Sequence, residues 1–436
     1  MDATTIGLLA FGGLFVLLLA SVPIGFAMGI CGLLGTSAII GFKPALALLG
    51  TTALETTVTY DLSIIPLFIL MGSVAARSGL SQELYTAFNT WFGAFRGGLA
   101  LATVGACGAF AAICGSSIAT AATMSKVALP EMKRFKYADS LATGSVAAGG
   151  VIGILIPPSV ILVLYGILTE TSIGDLFIAG FVPGILTVIG FMIAISITTK
   201  IWPHLGPAGV KTTMAEKIHA VGQTWGIMLL FGTVIGGIYF GVFTPTEAAG
   251  IGASGAFLIS ALRGRLSWLN TKEALIETVT MTAMIFIVLI GALTLNNFMV
   301  FSGVVGELSA LVGGLDMPPM AIMAIILLIY MLLGCFLDAL AMILLTIPIF
   351  FPIVVNLGFD PVWFGIIVVM VVELGMITPP IGMNVFVIKG MAPDVKLSAI
   401  YRGVMPFVIA QLILILIVFL LPEIILWLPE TARSFR

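Results

Sequence analysis

The chain has 436 residues, 60% of them hydrophobic and only 9% charged, with a formal net charge of −2. Soluble proteins carry about 25% charged residues, so this composition belongs to an integral membrane protein. The near-neutral balance excludes a nucleic-acid partner, which needs a basic face, and unbroken apolar runs such as 412–421 exclude the alternating strands of a membrane barrel.

Spans of about 20 apolar residues are needed to cross the hydrocarbon. The pattern predicts them over about 4–20, 24–41, 60–76, 140–167, 179–200, 223–243, 246–262, 275–300, 362–388 and 404–421. Segments 45–58 and 81–95 are less apolar and read as interfacial helices that brace the bundle or seat a partner; Glu83, Trp91 and Arg96 suit such a place. Regions 98–130 and 318–352 are interrupted near their middles, by Gly115-Ser116-Ser117 and by Gly334-Cys335-Phe336-Leu337-Asp338. Each arm is short for a crossing, so both read as re-entrant helical hairpins. The apolar run Ile6 to Ala20 lacks a basic leading region, so no cleavable signal is expected. Cys31, Cys107, Cys114 and Cys335 sit in apolar context without ligand spacing and read as small core residues.

Two predicted spans carry helix breaks. Gly149-Gly150-Val151-Ile152-Gly153-Ile154-Leu155-Ile156-Pro157-Pro158-Ser159 lies in one, and Glu373-Leu374-Gly375-Met376-Ile377-Thr378-Pro379-Pro380 in the other. Consecutive prolines remove two N–H donors and clash with the preceding turn. Inside a membrane such breaks persist only where protein or a polar cavity covers them, and paired breaks mark a transporter's binding site.

The breaks belong to a wider repeat. Pro23 matches Pro245; Gly72 and Gly115 match Gly291 and Gly334; Gly153, Pro157 and Pro158 match Gly375, Pro379 and Pro380; Gly180 and Pro183 match Gly403 and Pro406. The five blocks keep their order. They divide the chain into a first repeat over 1–200, a connector over 201–222 and a second repeat over 223–436. The repeats are predicted to be inverted. Arg77, Arg96, Lys133, Arg134 and Lys136 surround the first hairpin, whereas the loops of the second carry Glu307, Asp316 and Asp360 and no Lys or Arg. Behind the breaks the sign reverses: Glu170 and Asp175 in the first half, Lys389, Lys396 and Arg402 in the second. Cytoplasmic loops hold the excess of Lys and Arg. Threading on this basis puts fourteen of the 18 Lys and Arg inside and both termini outside, with Arg433 and Arg436 against the trend. His204 and His219 fall in the connector and read as loop residues, not ligands.

There is no Walker loop, His-Glu-x-x-His helix or Gly-x-Ser-x-Gly elbow, so neither catalysis nor ATP hydrolysis of that kind is expected. Polarity gathers instead at the tips and breaks. Unwound carbonyls and hydroxyls are hard ligands for an alkali cation, and half-helix N-termini attract a carboxylate. The first candidate cation site is Gly115, Ser116 and Ser117 against Ile152, Gly153, Pro157 and Ser159. The second is Gly334 and Asp338 against Gly375, Thr378 and Pro379. The competing reading is close packing by small residues. Asp338 stands out, because an intramembrane acid costs about 2.5–3.5 kcal/mol on the insertion scale and is functional by default. Ser117, Tyr165 and Asn384 are weaker candidates for substrate contact. Lys126 reads as a snorkelling residue, and Glu247 as a favourable charge at a helix start.

These residues also resemble a known family. Cys114-Gly115-Ser116-Ser117-Ile118-Ala119, Ile156-Pro157-Pro158-Ser159, Ser172-Ile173-Gly174-Asp175-Leu176-Phe177-Ile178-Ala179-Gly180 and Pro183-Gly184 are similar to the first half of the large membrane subunit of TRAP (tripartite ATP-independent periplasmic) transporters. Phe243-Thr244-Pro245-Thr246-Glu247-Ala248-Ala249, Leu337-Asp338 and Thr378-Pro379-Pro380-Ile381-Gly382 are similar to its second half. Cys114 departs from the family's usual Ser. The resemblance covers essentially the whole chain. It implies an elevator-type transporter in the bacterial inner membrane, driven by sodium through the two tip sites. It also implies a small four-helix membrane subunit, a periplasmic substrate-binding protein, and an organic acid such as a dicarboxylate or sialic acid as substrate. The residues alone lead only to an all-α, inverted-repeat, ion-coupled carrier; a stand-alone anion carrier and, less favoured, a channel are the alternatives.

Overall fold

The computed structural model describes residues 2–314 and 316–433, and among them all regular structure is helical. The first half contains α1 (Ala3–Leu19), α2 (Ile24–Ile40), α3 (Phe42–Val58), α4 (Ile64–Arg77), α5 (Leu80–Phe92), α6 (Gly98–Cys114), α7 (Ser117–Arg134), α8 (Asp139–Val151), α9 (Val160–Thr169) and α10 (Ile173–Ile201). The connector forms α11 (Met214–Gln223). The second half contains α12 (Trp225–Tyr239), α13 (Pro245–Leu262), α14 (Trp268–Ser302), α15 (Val304–Gly313), α16 (Pro319–Gly334), α17 (Ala339–Asn356), α18 (Pro361–Gly375), α19 (Met383–Met391), α20 (Leu397–Leu420) and α21 (Glu423–Arg433). Helices α10, α14 and α20 are each long and apolar enough to cross a membrane.

The two hairpins and two broken helices stand where the glycines and prolines place them. Helices α6 and α7 meet at Gly115-Ser116, and α16 and α17 meet at 335–338. Helix α8 gives way to a short 3-10 turn and then α9, with Pro157-Pro158 between them; α18 gives way to α19 across Pro379-Pro380. Both Pro-Pro peptide bonds are cis. Element order repeats as well. Helix α7 starts at Ser117 and α17 at Ala339, 222 residues on; α8 starts at Asp139 and α18 at Pro361, again 222 on.

Three elements differ from the sequence reading. Segment 301–317, expected to be a loop, carries helix α15; segment 423–433, for which no element was predicted, forms α21; and α14 runs for 35 residues, well beyond the predicted 275–300. Helix α21 has 11 residues, too few to cross a membrane by itself. It is anchored by Arg433, whose guanidinium donates to Asp175 Oδ2 at 2.8 Å at the start of α10. That ion pair satisfies a cation that ran against the charge pattern.

The halves are interleaved. Helix α2 packs on α14, α4 on α13, α8 on α20, α7 on α19 and α9 on α17. Small residues make the closest seams: a Cβ on Gly291 would fall 2.0 Å from Gly25 O, and one on Gly403 would fall 1.9 Å from Ser140 O. Without a hydrophobic force between helices in lipid, such backbone-to-backbone packing is what holds membrane helices together. Polar clasps at α5 add to it. Arg263 binds Glu83 and lies 5.4 Å over the Trp225 ring, and Arg265 donates to Ser78 O at 2.7 Å.

Candidate functional site: two hairpin tips at one cavity

At the first tip, Gly115 adopts φ +62, a conformation open to glycine at little cost, and turns the chain out of α6. Ser116 then caps α7, its Oγ accepting from the Ala119 N–H at 3.3 Å. The facing break is capped the same way, with Ser159 Oγ accepting from Leu162 N–H at 3.4 Å at the start of α9. Tip and break are in backbone contact. A Cβ on Gly115 would lie 2.6 Å from Pro158 O, and one on Gly153 would lie 2.7 Å from Ser116 O.

The second tip reaches the same end with other residues. Asp338 caps α17, its Oδ1 accepting from Leu340 N–H at 3.0 Å and Ala341 N–H at 3.1 Å. A Cβ on Gly375 would lie 2.6 Å from Gly334 C, so tip and break again touch through two glycines. Here the positive φ sits in the break, at Gly382 (φ +63), whose N–H donates to Cys335 O at 3.2 Å.

Both tips open onto one cavity of about 160 Å³. Gly115, Ser116, Ser117 and Asp338 line it, and the first residues of α7, α9 and α17 point their N-termini at it. The halves join there: Ser117 Oγ lies 3.6 Å from Met376 Sδ in the opposite break. Ile152, Gly153, Pro157, Ser159, Gly334, Gly375, Thr378 and Pro379 do not line it, and Pro379 is exposed. Thr378 Oγ1 is engaged with Leu374 O at 2.6 Å. Tyr165 is buried and does not face the cavity; its hydroxyl donates to Pro361 O at 2.5 Å and so ties α9 to the start of α18. Asn384 is also buried, its amide reaching Ala147 O at 3.5 Å.

The opposite wall of the cavity was not anticipated from the sequence. It comes from α4 and α14, through Gly72, Ser73, Ala76, Glu277, Met281 and Ile285. Ser73 Oγ donates to Glu277 Oε2 at 2.6 Å, and Arg77 donates to the same oxygen at 2.9 Å while binding Glu273 as well. Arg77 was visible only as a loop charge. Its partners lie about 200 residues away, and no local spacing signals them.

Half-helix N-termini, hydroxyls and the carboxylates of Asp338 and Glu277 around one cavity can hold a small anion together with hard cations. This arrangement, inside a bundle with two opposed hairpins and two broken helices, defines a multi-pass membrane transporter and not an enzyme. Residues 11–424 match the family described as "Tripartite ATP-independent periplasmic transporter, DctM component". The chain is 35% identical over 403 residues to the C4-dicarboxylate TRAP transporter large permease protein DctM of Pseudomonas aeruginosa, covering 92% of this chain and 93% of that one. It is 30% identical to the sialic acid TRAP transporter large permease protein SiaM of Vibrio cholerae, covering 95% and 96%. The fold resembles that of the Alcanivorax borkumensis YdaH transporter, with a TM-score of 0.66 at 16% identity over 87% and 89% of the two chains. The chain therefore belongs to the DctM family of TRAP transporter large permeases, multi-pass proteins of the inner membrane.

Proposed function

We propose that this permease imports an organic acid by sodium symport, receiving it from a periplasmic binding protein and working beside a small membrane subunit. The single observation that carries this reading is the convergence of both tips on one cavity, with Ser117 and Asp338 in its lining and three helix N-termini aimed into it. Anions are stabilised at helix N-termini, and alkali cations by the hydroxyls, carbonyls and carboxylate behind them. The first sodium would lie at Gly115, Ser116 and Ser117 with the break at 152–159. The second would lie at Gly334 and Asp338 with the break at 375–379. Hairpins and broken helices would travel as one elevator body past α4 and α14, and sodium would favour the substrate-competent state through differential binding. Relatives that transport C4-dicarboxylate or sialic acid point to a carboxylate as cargo. Membership of a tripartite family favours this reading over a stand-alone anion carrier.

Uptake of labelled organic acids into proteoliposomes tests it, with an inward sodium gradient and with or without the two partners. Uptake that requires sodium and both partners, and that fails in Asp338→Ala and Ser117→Ala, is the expected result. Uptake indifferent to sodium and to both substitutions would overturn the tip sites.

A further inference from the structure

Glu373 on α18, Gln411 on α20 and Thr187 on α10 are each 0% exposed. Among the described residues, their five polar side-chain atoms, Glu373 Oε1 and Oε2, Gln411 Oε1 and Nε2 and Thr187 Oγ1, have no hydrogen-bond partner. Buried polar groups are nearly always bonded, and an orphan commonly marks a missing water or ion.

The three helices pack on one another, and their register brings these residues to one level. Helices α10 and α18 begin at the same end, because Arg433 binds Asp175 at the start of one and feels the charge of Asp360 at the start of the other. They run side by side: a Cβ on Gly180 would lie 3.6 Å from Ile366 Cδ1. Seven residues on, about two turns along each helix, are Thr187 and Glu373. Helix α20 runs the opposite way, since Trp363 Nε1, near the start of α18, donates to Val418 O near the end of α20 at 3.2 Å. Phe407 packs on Phe191 with ring centroids 5.3 Å apart, and a Cβ on Gly190 would lie 2.9 Å from Leu414 Cδ1. Gln411 lies between Phe407 and Leu414, within about a turn of Thr187.

This cluster is separate from the second tip. Gly375 faces Gly334, and Glu373, two residues earlier, is turned about 200° from it around the helix. Glu373 looks toward the first break, where the Leu155 N–H faces it but is already bonded to Ile152 O at 3.2 Å. Among the described residues no Lys, Arg or His forms an ion pair with it. A carboxylate buried without a counter-charge is costly, and paired burial or a bound cation removes the cost.

We propose that Glu373, Gln411 and Thr187 bind a sodium ion in the interior of the bundle, at a third site apart from both hairpin tips. The donors are a carboxylate, an amide oxygen and a hydroxyl, all hard oxygens suited to such an ion. Sodium neutralises Glu373, so the loaded site adds no net charge to the elements that carry it. Its part in transport rests on the symport reading above; the site itself does not.

Binding of radioactive sodium to the purified full chain tests it without substrate or partners. The expected result is that Glu373→Gln binds one sodium ion fewer than the parent, Thr187→Val binds sodium several-fold more weakly, and the losses in Glu373→Gln and Asp338→Ala add. Unchanged sodium stoichiometry and affinity in folded Glu373→Gln would overturn the proposal. If that variant does not fold, Thr187→Val decides, and unchanged sodium affinity there overturns it. So would a carboxylic-acid carbonyl band in the infrared spectrum of the sodium-saturated parent that is absent from Glu373→Gln, since Glu373 would then be neutral through its own proton. Loss of binding in Asp338→Ala and Ser117→Ala alone would leave the tip reading intact and sink only this site.

Discussion

The two hairpin tips solve one geometric problem with different chemistry. In the first, a left-handed glycine at 115 makes the turn and a neutral hydroxyl, Ser116, caps the following helix through one hydrogen bond. In the second, a carboxylate, Asp338, caps through two, and the left-handed glycine has moved into the facing break at 382. The break opposite the first tip keeps a serine cap, whereas α19 starts without a side-chain cap. The difference teaches that the two halves share a backbone path while only the second tip carries its own charge. The second tip brings its own carboxylate, Asp338, whereas beside the first the cavity's other carboxylate, Glu277, comes from α14.

Removing that charge is the sharpest way to break the contrast. Asp338→Asn retains an oxygen able to cap α17 but no charge, and sodium-driven uptake is expected to fall about 10- to 100-fold, the range set by one hydrogen bond to a charged group. Its melting temperature should stay near the parent's, which separates the ion role from the cap. A near-normal rate in Asp338→Asn would show that the cap alone matters.

Glycine-to-alanine exchange at the tips comes next. At Gly115 the added methyl meets Pro158 O at 2.6 Å and the backbone sits at φ +62, whereas at Gly334 the nearest atom is 3.3 Å away. Gly115→Ala is expected to lose about 1–3 kcal/mol of stability through its backbone conformation, and Gly334→Ala much less. Thermal melts of the solubilised variants measure the gap, and equal melting points would remove the asymmetry. A smaller effect is expected for Ser116→Ala, about 1 kcal/mol for a lost helix cap, with the sodium dependence of uptake shifted less than in Asp338→Asn.

The connector between halves gives the smallest effect. Thr213 and Glu216 form a reciprocal cap on α11, and the Thr213 backbone N–H, then its hydroxyl, holds the Glu216 carboxyl below its ordinary value of 4.5. A group depressed on folding contributes above its unfolded pKa and loses that contribution as pH falls through the folded one. Limited proteolysis of the connector should therefore rise only below about pH 4.5, and Thr213→Ala should flatten that rise.

The tips and breaks were legible because glycine and proline act on their own backbone: Gly115 and the two Pro-Pro pairs disrupt a helix wherever they stand. Asp338 was legible because an acid in an apolar run is conspicuous. Contacts between distant segments were not. Tyr165 reads as a polar residue available to substrate until α18 arrives and takes its hydroxyl. Ser73 and Glu277 face the cavity, and Arg77 reaches Glu277, only because α4 lies against α14. Glu373 was visible as an acid in a span, but its companions Thr187 and Gln411 follow from the register of three helices.

The glycine seams have a consequence for how the protein is made. Gly25 meets Val288 and Gly291, and Ser140 and Gly144 meet Gly403, so each furrow on the early half waits for a ridge more than 250 residues downstream. A nascent chain that has delivered only its first ten helices presents those furrows to lipid. Domains normally complete themselves as they leave the ribosome. This one cannot close until α20 has been inserted, and the membrane must shelter an unfinished first half for most of its synthesis.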